Sequence, residues 1–272
     1  MPRMVVRIAA SPGFPTIRRP PAGSREDAAR MAGASGYPLP AGRGSAPYTT
    51  MDVVDLALVL AIDVSASVDY DEFALMVGGT AAAFRTPDIV AAATAGPRGG
   101  IAVAVLFWSS VSPGPELAVP WTRLADPAGF EALAAALEAA PRSPSPGATA
   151  LGEGMAAGLA LLARCPAEAT RLVLDVSGDG RHNQGRPPGP VRDIGTAAGI
   201  TLNGLAVLNE EPDLLEHYRA EVIGGPGSFA MDCPDYQAFA AAIREKLLRE
   251  IGGLRLVRAD ALEPPSPGRI TA

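Results

Sequence analysis

Asp63, Ser65 and Ser67 stand at alternate positions directly after an apolar run, and each carries a hard oxygen donor. Two further oxygen side chains occupy comparable settings far along the chain. Thr149 stands at the start of a helical pattern, and Asp179 lies between glycines in Ser177-Gly178-Asp179-Gly180. The set includes neither thiolate nor imidazole. Carboxylates and hydroxyls of this kind suit Mg2+ or Mn2+ and not zinc, which favours nitrogen and sulfur. Singly, each residue is a common helix cap or turn former. Five together, where strands end, read as a metal site.

The elements that must position them follow from periodicity. Val53 to Ile62 is a near-continuous apolar run ending at Asp63, which predicts a strand buried on both faces. Asp69, Asp71 and Glu72 suit the positive start of a helix, and Phe73, Met76, Val77, Thr80, Ala81 and Phe84 recur at helical spacing behind them. Ile101 to Trp108 predicts a central strand and Leu117 to Trp121 an edge strand. Asp126-Pro127 caps a helix carrying Phe130, Leu133 and Leu137, and Thr149 opens another with Leu151, Met155, Leu159 and Leu162 on one side. Strands are expected at 171–177, at Thr201 to Leu208 and at Phe229 to Met231, with a helix around Val191 to Ala198. Asp235 is expected to cap a terminal helix bearing Phe239, Ile243, Leu247 and Ile251. The alternation predicts an open α/β sheet, mostly parallel and covered on both faces. Ligands of such sheets bind beyond the carboxyl ends of the strands where strand order reverses. Asp63, Asp179 and Thr149 all belong to that edge.

With this order and strand context, Asp63-x-Ser65-x-Ser67, then Thr149 in Gly147-Ala148-Thr149, then Asp179 followed by Gly180, the chain resembles a von Willebrand factor type A domain over about residues 52–251. The match is to that family's metal-ion-dependent adhesion site. The resemblance implies a doubly wound, Rossmann-like α/β fold, its mostly parallel central sheet having one antiparallel edge strand and helices on both faces. It also implies a magnesium site held directly by Ser65 and Ser67, by Thr149 directly or through water, and by Asp63 and Asp179 mostly through water. One coordination position is then left for the Asp or Glu of a protein partner, in a non-enzymatic adhesion or scaffold role. Asp175-Val176-Ser177-Gly178-Asp179-Gly180 and Val222-Ile223-Gly224-Gly225-Pro226-Gly227-Ser228-Phe229 further resemble an uncharacterised bacterial family of such domains. Its members usually carry a secretory signal, which implies a periplasmic or secreted protein.

An enzyme reading competes. Haloacid-dehalogenase phosphatases share an α/β sheet, a first strand ending in Asp-x-Asp and a later Gly-Asp-Gly-x-Asn-Asp, and Gly178-Asp179-Gly180-Arg181-His182-Asn183 is close to the second motif. Asp63 would be the nucleophile. However, Ser65 replaces the proton-donating acid, Gln184 replaces the last acid, and Lys246, the sole lysine, follows the motif it should precede. General acid and electrostatic clamp are both missing. Gly147 to Glu153 has phosphate-loop glycine spacing, but Glu153 stands in place of the phosphate-binding lysine. Gly224-Gly225-Pro226-Gly227 opens no helix and reads as a turn. His182 reads as a solvated loop histidine rather than part of the site's rim. Asp175 reads either as a carboxylate orienting a metal-site loop or as one bonding nearby backbone donors. Trp108 and Trp121 read as core or edge packing, and an exposed Trp121 would mark a contact surface.

Composition sets the outer bounds. The 272 residues are 48% hydrophobic and 19% charged, enough to bury one large core. Residues 1–50 hold seven arginines against Glu26 and Asp27, so the remainder is more acidic than the net −6, which argues against a nucleic-acid-binding body. No stretch approaches the roughly 20 apolar residues of a membrane span. Residues 1–50, rich in Pro, Gly and Arg, read as a disordered leader, with Met51 as an alternative start. Residues 51–253 form the domain, and residues 254–272 read as a frayed tail. No secretory signal is evident, because Arg7 interrupts Met4-Val5-Val6 and Arg18-Arg19 precede prolines. Cys165 and Cys233 are expected at opposite edges of the sheet. A five-residue strand spans roughly 17 Å, which forbids a disulfide.

Overall fold

The computed structural model describes residues 53–142 and 147–253. The expectations for the leader, the tail and the alternative start at Met51 lie outside the described residues. Six strands form one sheet: β1 (Val53–Asp63), β2 (Ile101–Trp108), β3 (Glu116–Leu124), β4 (Glu168–Gly178), β5 (Thr201–Val207) and β6 (Ala230–Cys233), in the order β3-β2-β1-β4-β5-β6. All neighbours pair in parallel except β3 on β2. The helices are α1 (Tyr70–Phe84), α2 (Pro87–Thr94), α3 (Pro127–Ala139), α4 (Leu151–Ala163), α5 (Pro188–Ala197), α6 (Leu214–His217) and α7 (Phe239–Gly252). This is the open, mostly parallel sheet that the alternation predicts, with the doubly wound order and one antiparallel edge strand that the resemblance implies.

The near-continuous apolar run of β1 resolves into two alternating sets. Leu56, Leu58, Leu60 and Ile62 pack into the layer of α1, α2, α3 and α7. Ala57, Val59 and Ala61 pack into the layer of α4, α5 and α6. Period-two side-chain direction, with both faces covered, produces the run. Small residues on the second face let α4 approach closely. A Cβ at Gly154 would lie 2.5 Å from Trp108 Cγ, so the indole, 1% exposed, requires that glycine. Trp108 is thus core, and Trp121 is half-buried on the edge strand.

Several boundaries differ from those predicted, each for a local reason. Helix α2, which follows Thr86 with Pro87 at its first turn, is too short for periodicity to reveal. Thr149 does not open α4; the helix begins at Leu151, because the backbone of its N-cap Ala150 is non-helical (φ −86°, ψ 59°), and the Thr149 N–H donates instead to Asn183 Oδ1 at 2.9 Å. Asp235 caps the turn before α7, accepting from Ala238 N at 2.9 Å, so the helix starts at Phe239. Between β5 and β6, α6 runs into a π-helical turn at Tyr218–Val222 that no periodicity announces. Asp126 caps α3 as expected, accepting from Gly129 N at 3.0 Å. Cys165 follows α4 and Cys233 ends β6, and no disulfide joins them.

Candidate metal centre

The chain fills the sheet outward from β1 to β3 and then outward from β4 to β6, so strand order reverses between β1 and β4. Their parallel register pairs Ile62 with Ser177, which brings Asp63 and the Gly178-Asp179-Gly180 turn to one point on the carboxyl edge. There, Asp63 Oδ1 accepts from Ser65 N at 2.8 Å, so the first carboxylate folds the loop that carries both serines. Ser65 Oγ lies 3.1 Å from Ser67 Oγ, and Ser67 Oγ donates to Asp179 Oδ1 at 2.8 Å. Four of the five predicted residues are thus linked directly. The fifth, Thr149, is buried beside Gly180, where an added Cβ would lie 3.4 Å from its Oγ1. Gly178 is required by close approach. Its Cβ would stand 2.8 Å from Asp63 Oδ2 and 2.9 Å from the Tyr218 hydroxyl.

Asp63 and Asp179 are both fully buried, and Oδ2 of each lacks a hydrogen bond of good geometry among the described residues, although the Tyr236 hydroxyl stands close enough to Asp179 to act on its charge. Burial, reinforced by the charge of Asp179, holds the Asp63 carboxyl well above the usual carboxylate range, although the Ser65 amide and hydroxyl and Arg142 oppose this. Burial likewise raises Asp179, against the lowering effect of the Ser67 and Tyr236 hydroxyls. Two carboxylates forced together without a cation repel. A bound divalent ion relieves that repulsion and gives both orphaned oxygens a partner, so the residues present fit such an ion. Ser67 is exposed while Ser65 is not, which opens the site to solvent on one side. Among the described residues no group of three or more His, Cys, Asp and Glu is placed to hold a metal. A cation here would depend on hydroxyls.

The model of a family described as a protein of unknown function (DUF1194) matches residues 53–255. The chain belongs to the DUF1194 family. No curated protein matches the sequence. Among solved structures, the domain is similar to proximal thread matrix protein 1 of the mussel byssus, described with a zinc-occupied MIDAS motif, at 14% identity and a TM-score of 0.54, covering 73% of this chain and 48% of that one. It is also similar to the pilus adhesin SpaC of Lactobacillus rhamnosus GG, at 14% identity and a TM-score of 0.54, covering 73% of this chain and 30% of the adhesin. The PilB minor pilin of Streptococcus sanguinis matches at 11% identity and a TM-score of 0.54 over 75% and 63% of the two chains. The match thus spans about half of the byssus protein and less than a third of the adhesin. These likenesses establish a von Willebrand A-type fold for this DUF1194 domain.

Around the five residues, the DUF1194 site uses side chains that the sequence reading passed over. Arg142 reaches from the end of the α3 connection to donate to the carbonyls of Ser65, at 3.2 Å, and Val68, fastening the β1–α1 loop. Its guanidinium lies over the exposed Tyr70 ring, 4.9 Å from the centroid. The buried hydroxyls of Tyr218 and Tyr236 stand near the two carboxylates, and burial followed by those charges pushes both phenols up, so they stay neutral. His182 is half-buried rather than solvated, and burial lowers it below the ordinary histidine range. Asp175 does neither of the things considered for it. It lies 2.5 Å from Lys246 Nζ in the core. Lys246 also holds Glu250 Oε1 at 2.6 Å, and Asn203 Nδ2 donates to that oxygen at 2.9 Å. Helical spacing held the signal: Lys246 and Glu250 fall at +3 and +7 from Ile243, inside the apolar stripe.

Proposed function

We propose that this DUF1194 chain is a non-enzymatic, divalent-metal-dependent protein-binding domain, with the ion held by Asp63, Ser65, Ser67, Thr149 and Asp179. The observation that carries the reading is the pair of buried, unpartnered carboxylate oxygens, Asp63 Oδ2 and Asp179 Oδ2, beside linked serine hydroxyls at the switch point of the sheet. The bound ion supplies a Lewis-acidic coordination position for an incoming Asp or Glu of a protein partner. With these five residues holding the ion directly or through water, a position would remain for that carboxylate. The chain's own residues do the remaining work. Asp63 fixes the serine loop through Ser65 N, Arg142 fastens its far side, and the glycines at 178 and 180 clear space for Asp63 and Thr149. The byssus neighbour's zinc supports a divalent ion in general, and the all-oxygen donor set here favours Mg2+ or Mn2+. The pilus and matrix neighbours support a protein partner, and no helix among the described residues is long and apolar enough to cross a membrane.

The phosphohydrolase alternative loses further support, because the only lysine lies in the core with its ammonium held by Asp175 and Glu250. Hydrolysis of a generic aryl phosphate with Mg2+, abolished by Asp63→Asn, would revive it. The direct test is titration calorimetry of wild type, Asp63→Ala and Asp179→Ala with Mg2+, Mn2+ and Zn2+, followed by affinity capture from the native extract with Mg2+ or chelator. Saturation at 100 times the dissociation constant stabilises the fold by about 2.7 kcal/mol. Both variants should lose this shift and partner capture together, because linkage is reciprocal. Partner binding that is unchanged in chelator would sink the metal bridge.

A further inference from the structure

We infer that Asn183 is a positioning residue for the metal centre, setting Thr149 at the right distance from Asp179; this rests on the metal-binding reading above. Asn183 holds both peptide groups of Thr149. Its Oδ1 accepts from Thr149 N at 2.9 Å, and its own N–H donates to Thr149 O at 3.1 Å. Nothing in α4 does this work, because the helix starts two residues later and has no side-chain cap. Ser109 fastens the flanks of Thr149, accepting from Gly147 N through its hydroxyl at 2.9 Å and from Ala150 N through its carbonyl at 2.7 Å. Those bonds tie the segment to the end of β2. Asn183 ties Thr149 itself to the loop that carries Asp179, four residues upstream.

The loop bearing Asn183 is itself pinned on three sides. Arg181 Nε donates to Glu211 Oε2 at 2.7 Å, and Gln184 Oε1 accepts from Val111 N at 2.8 Å. Arg186 donates through N and Nε to the buried Glu153 Oε1 at 3.1 and 3.0 Å. Asn183 is therefore a fixed bracket between two ligand-bearing segments. Its side chain is exposed and fills no core space, so removing it leaves the packing intact and releases the Thr149 N–H, while the backbone bond from Asn183 N to Thr149 O is kept. Residues that orient metal ligands from outside the coordination sphere typically change affinity by about 10–100-fold when mutated.

The test is a double-mutant cycle on Mn2+ and Mg2+ affinity, measured by calorimetry on the full chain. Asn183→Ala should weaken Mg2+ binding by about 10–100-fold while leaving the melting temperature in chelator close to that of wild type. Asn183→Asp, which keeps an oxygen acceptor for Thr149 N, should retain or exceed wild-type affinity. In a Thr149→Ala background, Asn183→Ala should cost nothing further, because Asn183 acts on the ion only by placing the Thr149 hydroxyl, which is then absent. An undiminished affinity in Asn183→Ala, or the full loss repeated in the Thr149→Ala background, overturns the inference while leaving the metal site standing. Wild-type chain that binds neither ion, with Asp63→Ala indistinguishable from it, overturns the metal reading and this inference together.

Discussion

Replacing Lys246 with methionine removes the ammonium that two buried carboxylates share. Lys246 is 0% exposed, Asp175 1% and Glu250 3%, and the Nζ–oxygen distances are 2.5 and 2.6 Å. Breaking a buried pair by deleting one partner costs about 3–5 kcal/mol, because the charges left behind have neither water nor counterion. For a domain of this size each kcal/mol moves the melting temperature by about 2–4 °C, so Lys246→Met should melt about 6–20 °C below wild type. A pH signature accompanies the loss. The facing charges are Asp175 and Arg171 on β4, and Arg171 donates to the backbone carbonyls of Glu250 and Ile251 at 2.9 Å. Burial, then the charge of Asp175, pushes Glu250 up to about 8 from its ordinary 4.5, against the lowering pull of Lys246. A carboxyl whose folded value is raised contributes stability that is complete below about 4.5 and is lost as pH rises through about 8. Wild-type stability should therefore fall by at most about 1.4 kcal/mol per pH unit across that window. Glu250→Gln, which keeps an oxygen for Lys246 and Asn203, should flatten this fall. Urea melts from pH 5 to 9 measure both effects. Lys246→Met melting within 2 °C of wild type, or an unchanged slope in Glu250→Gln, would refute the assignment of the cluster.

Three further outcomes are expected. A chain trimmed to residues 51–253 should melt cooperatively at nearly the full-length temperature in calorimetry, since the sequences beyond lack periodic apolar faces; a large drop would show that one of them docks on the domain. Cys165 and Cys233 should both be alkylated in unfolded, unreduced monomer, while native Cys233 should react slowly, because burial pushes its thiol up to about 12; two blocked thiols would contradict the sheet topology. Gly178→Ala should cost about 1–3 kcal/mol in urea melts and weaken Mg2+ binding, because its methyl would meet Asp63 Oδ2 and the Tyr218 hydroxyl; an unchanged Mg2+ affinity would mean that Asp63 yields freely.

What was legible in the sequence was whatever depends on neighbours along the chain. Nine apolar residues in the ten before Asp63 read as a strand covered on both faces, and three oxygen residues at alternate positions must share the turn that follows it. The helices of the domain announced themselves through repeats such as Phe130, Leu133 and Leu137, except where, as in α2 and α6, they were too short to repeat. Periodicity fixes which side of an element is buried and says nothing about what that side meets. The contact of Ser67 with Asp179 exists because β1 and β4 pair in parallel at the reversal of strand order. The Asn183 bracket exists because two carboxyl-edge loops, 34 residues apart in sequence, cross at Thr149. Lys246, Glu250 and Asp175 are the clearest case. A lysine and a glutamate on an apolar helical stripe violate the pattern locally, and only the docking of α7 against β4 and β5 supplies the opposite charge and the hydrogen bonds that let them be buried. Those partners are distant in sequence, and burying a charge is tolerable only when the tertiary structure brings its counterion to it.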